Sequence, residues 1–190
     1  MTPIPAWRVA CLFAAWLTLT ACTGPDGDRV TLGGPFHMVD QDARPRDESM
    51  MQGKWSAVFF GYTFCPDVCP TTLQALGDAQ DKLGPKAARF QVVFVSVDPA
   101  RDTPGQLKTY LSSPAFPKGT IGLTGTPAQV AAMAKAYKVF YQPEGAGPGY
   151  SVQHTSVVYL MDSQGRFDRP IAYGVAPEEI ARQVSDAMNR

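Results

Sequence analysis

The chain has 190 residues, 45% of them hydrophobic and 11% aromatic, which is enough for one ordinary domain with a real core. Its 17 basic and 17 acidic residues balance without any basic block, which argues against a nucleic-acid partner.

Arg8 is the only charge before Asp26, and the apolar run Val9–Leu19 is too short to span a bilayer comfortably. Leu19-Thr20-Ala21-Cys22 follows directly and resembles a bacterial lipobox, in which the peptide is cut before the cysteine and the cysteine carries lipid. Residues 1–21 therefore read as a lipoprotein signal peptide, with an uncleaved signal anchor as the alternative. Cys22 reads as the lipidated residue, residues 22–29 as its tether and residues 30–190 as the domain. Either way the domain faces an exported compartment, here the periplasmic side of a bacterial envelope. Of four cysteines, Cys11 leaves with the signal and Cys22 is blocked, so Cys65 and Cys69 remain as free sulfurs. In an oxidising compartment such a pair is kept reduced by a partner, holds a metal, or cycles.

In chain order, Phe36, Met38 and Val39 suggest a short first strand, Gln41–Lys54 a polar connection, and Trp55–Tyr62 a central strand. Thr71–Leu83 has helical periodicity and stops at Gly84-Pro85. Phe90–Val97 is almost continuously apolar, as in a strand buried on both faces and parallel to its predecessor. Thr103-Pro104 and Thr126-Pro127 each read as an N-cap with proline at the first helical position, opening helices to about Ser112 and Lys138. Between them Thr120–Leu123 reads as a short strand. Gln142–Tyr150, with three glycines and two prolines, reads as a loop or hairpin tip. Ser156–Met161 and Arg166–Tyr173 form strands about an Asp162–Gly165 turn, and Pro177 opens a last helix with Ile180, Val184 and Met188 on one face. This order reads as α/β: a thioredoxin-like domain with a central mixed sheet flanked by helices.

The chemistry concentrates at Gly61-Tyr62-Thr63-Phe64-Cys65-Pro66-Asp67-Val68-Cys69-Pro70, a strand-to-helix junction. The first amides of a helix lack intrahelical partners and, with the helix dipole, favour thiolates. Residues four apart on a helix share a face, with Cβ atoms roughly 5–6 Å apart, so both sulfurs can meet one soft metal ion or close a disulfide. Parallel strands ending at Tyr62 and Val97 put this junction and Asp98 on one sheet edge. If strand 156–161 runs antiparallel to its neighbour, His154 arrives there too. Two thiolates and an imidazole suit Cu(I), and Cu(II) with an added ligand; a structural zinc site would want a fourth ligand. His37, the only other histidine, reads as an exposed strand residue. Asp67 and Asp98 are candidates for tuning the thiolates or a partner's docking, against the simpler roles of charging a helix start and capping a loop. Arg101 and Asp102 read as a local ion pair or helix-start arrangement.

At these residues the sequence resembles the Sco/SenC family of copper-binding assembly proteins. The likeness runs through the cysteine segment, Val95-Ser96-Val97-Asp98-Pro99-Ala100-Arg101-Asp102-Thr103-Pro104, Ile121-Gly122-Leu123-Thr124-Gly125, and the histidine before Val157-Val158-Tyr159-Leu160. It implies a thioredoxin-like fold, copper bound by Cys65, Cys69 and His154, and a role in building the binuclear copper centre of cytochrome c oxidase. The implied partners are the copper-receiving oxidase subunit and a periplasmic copper donor or thiol reductant. The family commonly has Asp-His-Ser where this chain has Gln153-His154-Thr155, a loss of the neighbouring acid that bears on copper affinity or docking.

Two other functions share the fold. A thiol-disulfide oxidoreductase would use Cys65 and Cys69 as its redox pair. The Cys-x-x-x-Cys spacing, and His154-Thr155 where thioredoxins place a cis proline, count against it. A peroxidase of the peroxiredoxin type would need Thr63 and Arg101 to converge on a cysteine.

Overall fold

Every residue of the strand Trp55–Gly61 is buried, and the remaining elements are arranged around it. The computed structural model describes residues 31–190, so the signal peptide, Cys11, the Cys22 lipidation site, the tether and the domain start at Val30 lie outside the described residues.

Strand β1 (His37–Asp40) leads by a tight turn into β2 (Pro45–Asp47), and a single 3-10 turn (Glu48–Met51) precedes β3 (Trp55–Gly61). Helix α1 (Val68–Lys82) and a second 3-10 segment (Gly84–Arg89) connect β3 to β4 (Phe90–Ser96), and α2 (Pro104–Leu111) connects β4 to β5 (Ile121–Thr124). Helix α3 (Pro127–Ala136), the hairpin β6 (Tyr141–Glu144) and β7 (Ser151–His154), the hairpin β8 (Val158–Met161) and β9 (Phe167–Ile171), and α4 (Pro177–Met188) complete the chain.

The main sheet is ordered β2-β1-β5-β4-β3-β8-β9, while β6 and β7 form a separate two-stranded sheet. Strands β3, β4 and β5 are parallel, and β8 runs antiparallel to β3. The architecture is thioredoxin-like, α/β with a mixed central sheet, as the element order implies. Side chains alternate across β3. Phe60 meets Tyr137 and Tyr159 on one face, with ring centroids 5.2 and 6.1 Å away. Phe59 meets Phe94 on the other, at 6.2 Å, and Phe94 continues to Tyr110 at 5.8 Å. Each such fully buried ring stabilises the fold by roughly 1.5–3 kcal/mol, so the doubly buried β3–β4 pair anchors the molecule.

Both Thr-Pro devices cap as read. The Thr103 hydroxyl accepts from the Gln106 amide, and Thr126 forms a reciprocal capping box with Gln129. Three local readings change. The polar connection 41–54 contains β2 and the 3-10 turn, because the Asp47 carboxylate caps the Ser49 amide and folds Met51 into the core beside the Tyr137 hydroxyl. Helix α1 starts at Val68, three residues before Thr71, because Pro70 in the first turn forfeits only an amide with no partner there. Arg101 and Asp102 do not pair with each other, since each is drawn to a different neighbour described below.

Candidate metal centre

Cys65 lies in the loop between β3 and α1, and Cys69 in the first turn of α1. Both sulfurs are free, Cys65 partly exposed and Cys69 fully buried. The space for Cys69 comes from Gly61: a Cβ built there would sit 2.7 Å from the Cys69 Sγ and 2.9 Å from the Phe94 ring. A glycine at the end of β3 is thus required by close approach.

His154 reaches the same place by topology. Because β8 pairs antiparallel with β3, with Val158 opposite Phe59, the segment before β8 lies where β3 ends. His154 closes β7 opposite Tyr141, and its Nε2 is 3.6 Å from the Cys69 Sγ. Its Nδ1 is 3.0 Å from the Thr155 carbonyl, which can only accept, so the neutral ring carries its proton on Nδ1 and turns Nε2 toward the sulfurs. Tyr62 and Phe59 hold the ring edge-to-face, with centroids 5.9 and 6.2 Å away. The ligand atoms of Cys65, Cys69 and His154 all lie within 4.8 Å of one another, the sole such His/Cys/Asp/Glu cluster among the described residues.

The sulfurs are electrostatically unequal. The Cys65 thiol is pulled down to about 3, first by the Cys69 S–H donating to it, then by the neighbouring His154 imidazole and by the amides of Cys69 and Asp67; burial opposes these. The Cys69 amide is 3.4 Å from the Cys65 Sγ, so the orphan donors at the start of α1 act as the sequence implies. Cys69 is pushed up because it is the donor to Cys65, is buried, and faces the Cys65 thiolate. The reduced metal-free site is therefore one partly exposed thiolate and one buried thiol.

The remaining candidates separate. The Asp67 side chain is exposed and accepts from the Thr71 hydroxyl at 3.1 Å, while its backbone amide serves Cys65. Asp98 is buried but accepts from Arg101 and from the Tyr150 hydroxyl. His37 is exposed in β1, three strands from β3, and does not join the cluster. Thr63 donates to Asp102 and accepts from Gln106, and the Arg101 guanidinium is turned to Asp98 and Tyr150, so neither is committed to a cysteine as peroxidase chemistry would need. Asp102, fully buried, accepts from the Ser96 hydroxyl at 2.6 Å and from both the amide and the hydroxyl of Thr63, which steadies the loop two residues before Cys65. Sequence reasoning missed Gly61, Tyr150 and the positioning role of Asp102; only the glycine left a local trace, ending an otherwise apolar strand.

The chain matches known proteins over this whole region. The mitochondrial protein SCO2 of Saccharomyces cerevisiae is 43% identical over 142 residues, 73% of this chain and 46% of that protein. The SCO2-like protein of Rickettsia felis is 35% identical over 156 residues, 80% of this chain and 75% of that protein. The chain thus spans a little under half of the yeast relative and three quarters of the rickettsial one. The solved structure of Bradyrhizobium japonicum ScoI with copper bound superposes with a TM-score of 0.75 at 39% identity, covering 82% of this chain and 98% of that one. With residues 25–189 matching the SCO1/SenC family model as well, the chain belongs to the SCO1/SenC family.

Proposed function

We propose that this protein is a copper chaperone that binds copper through Cys65, Cys69 and His154 and delivers it in assembly of the binuclear copper centre of cytochrome c oxidase. The observation that carries the reading is the convergence of two sulfurs and one imidazole nitrogen within 4.8 Å. That donor set suits a soft ion of low coordination number, Cu(I) foremost, with Cu(II) accessible through an added ligand. Zinc would want a fourth protein ligand, and none is present among the described residues. The copper-bound ScoI relative supports the same cargo.

The unequal sulfurs suggest how copper leaves. Cys65 is partly exposed and Cys69 buried, so an incoming client thiolate displaces Cys65 first, while Cys69 and His154 retain the ion until a second thiolate arrives. This is ligand exchange, and the protein is a carrier of its cargo and not an enzyme. The lipobox at Leu19–Cys22 supports an anchored form, with residues 1–21 removed, Cys22 lipidated, residues 22–29 as tether and the domain facing the periplasm. Its partners are the copper-receiving oxidase subunit and a periplasmic copper donor or thiol reductant.

The thiolate–thiol pair favours a second reading, a thiol-disulfide oxidoreductase acting on client cysteines. The Cys65 thiolate attacks a client disulfide and releases one client thiolate. Cys69 then attacks the mixed disulfide, freeing the second client thiol and leaving a Cys65–Cys69 disulfide for an external thiol reductant to reduce.

Anaerobic Cu(I) titration of the reduced protein against a competing chelator tests the choice. One equivalent bound, with most affinity lost in both Cys65→Ser and His154→Ala, supports the chaperone. Binding indifferent to His154, with the cysteines still cycling against a protein disulfide, replaces it with the oxidoreductase.

A further inference from the structure

Arg101 is tied into three separate parts of the chain. Its Nε donates to Asp98, which is 4% exposed, and its Nη1 donates to the carbonyls of Tyr150 at 2.9 Å and Pro148 at 3.3 Å. The guanidinium carbon lies 3.6 Å over the Tyr150 ring and 4.7 Å from the ring of Phe64, the neighbour of Cys65. The Tyr150 hydroxyl donates to the second oxygen of the same Asp98. A charge-assisted pair, two carbonyl acceptors and an aromatic stack thus meet between the loop after β4, the tip of the β6–β7 hairpin and the cysteine loop.

The hairpin needs such a tie. Its two strands form a sheet of their own with no strand pairing to the main one, and an isolated two-stranded hairpin is at best marginally stable. Side-chain contacts therefore hold it: Val152 buried in the core, the His154 ring against Phe59 and Tyr62, and this tie at its tip. Yet it carries His154, which ends β7 four residues after Tyr150. At its base Phe140 and Thr155 exchange hydrogen bonds, which closes the hairpin on itself without fixing it to the cysteines. The base of the tie, in contrast, is fixed to them. The Asp98 amide donates to the Ser96 hydroxyl at 3.0 Å, Ser96 donates to Asp102 at 2.6 Å, and Asp102 holds the amide of Thr63 at 3.1 Å.

We propose that Arg101, with Asp98 and Tyr150, is a clasp that positions His154 over the two cysteines, so that the third ligand is held in place by contacts remote from the metal. The proposal rests on the copper reading above. With the clasp closed the three ligands are preassembled and copper is held; with it loosened the hairpin swings the imidazole away and leaves a two-sulfur site that yields copper readily to an incoming thiolate.

The test uses the reduced protein with Cu(I) and a competing chelator, comparing Tyr150→Phe, Arg101→Met, His154→Ala and the double variant Tyr150→Phe/His154→Ala. Thermal unfolding of each metal-free form checks folding; should Arg101→Met fail to fold, Tyr150→Phe removes only one hydroxyl and still decides. Tyr150→Phe weakens Cu(I) binding about 10-fold and Arg101→Met up to about 100-fold, the range for residues that orient metal ligands. In the double variant the tyrosine change adds less than a factor of about two, because its effect passes through a ligand already gone. X-ray absorption of the Cu(I)-loaded single variants shows reduced imidazole scattering, restored by added free imidazole. The proposal is overturned if both clasp variants hold copper like the parent while His154→Ala does not, or if the tyrosine effect persists undiminished without His154. Equal copper binding by the parent and His154→Ala would instead overturn the copper reading beneath it.

Discussion

Gly61→Ala tests the geometry of the site most directly. A methyl at this position would meet the Cys69 Sγ at 2.7 Å, the Phe94 Cε2 at 2.9 Å and its Cζ at 3.3 Å. Neither neighbour yields easily. Phe94 is fully buried and packed between Phe59 and Tyr110, and Gly61 itself is held in parallel register opposite Ser96. Relief to ordinary carbon–sulfur contact requires the sulfur to move by about 0.7 Å or more, which exceeds the roughly 0.2 Å tolerance of a metal–ligand bond. Overpacking a rigid core costs about 1–3 kcal/mol, and the displaced sulfur also lengthens its 3.6 Å separation from the His154 Nε2 or rotates away from it. Urea unfolding of the reduced metal-free variant should show a loss of about 1–3 kcal/mol, and chelator competition a Cu(I) affinity reduced at least about tenfold. A variant as stable as the parent that binds copper equally well would mean that the Cys69 sulfur does not rest against the end of β3, and the site geometry would be refuted.

Binding of Cu(I) by both sulfurs displaces the proton that Cys69 keeps, so between pH 6 and 8 the affinity should rise about tenfold per pH unit, with about one proton released per copper in weakly buffered solution. Alkylation near pH 6, read by peptide mass mapping, should modify Cys65 and spare the buried Cys69. A thiol depressed on folding contributes stability that is present above its unfolded value, near 8.5, and lost as pH falls through about 3. The reduced metal-free protein should therefore gain stability as pH rises from about 4 to 8, and Cys65→Ser should flatten that rise. Asp102→Ala strips acceptors from the Ser96 hydroxyl and the Thr63 amide inside the protein and should cost about 2–3 kcal/mol in denaturant unfolding, with Asp102→Asn milder. Gln153 is exposed and points to the opposite face of β7 from His154, so Gln153→Asp, which restores the acid common in the family, should change Cu(I) affinity by less than about twofold.

Much of the molecule was legible in local pattern. The apolar runs Trp55–Tyr62 and Phe90–Val97 announce strands that tolerate no water on either face, and in the fold both are buried throughout. Thr-Pro at 103–104 and 126–127 announces two helix starts, because a hydroxyl cap and a fixed proline φ act within four residues. The cysteines at a strand-to-helix junction announce thiolate character, which Cys65 shows because it accepts from the first amides of the helix, whereas Cys69 is pushed the other way. The segment 41–54 misled because its fold depends on where Met51 is buried, which the polar composition around it conceals.

The arrival of His154 followed from the sequence only on the condition that its strand run antiparallel to β3, a pairing between residues about 100 apart that no local pattern specifies. The inequality of the two sulfurs belongs to tertiary structure alone: residues of one type, four apart, differ because one is sealed beneath the end of β3 and the other is left partly exposed. Arg101 and Asp102 illustrate the same limit. Neighbours of opposite charge read as a pair, yet the fold gives Arg101 to Asp98 and Tyr150, and Asp102 to Ser96 and Thr63. Sequence by itself determined which donor atoms the protein would have and which short elements would carry them, because strand pattern, caps and helix ends are set within a few residues. Which of those donors meet, and which is buried with its proton, was decided by strand order and packing, since burial and approach are properties of neighbours that only the folded chain supplies.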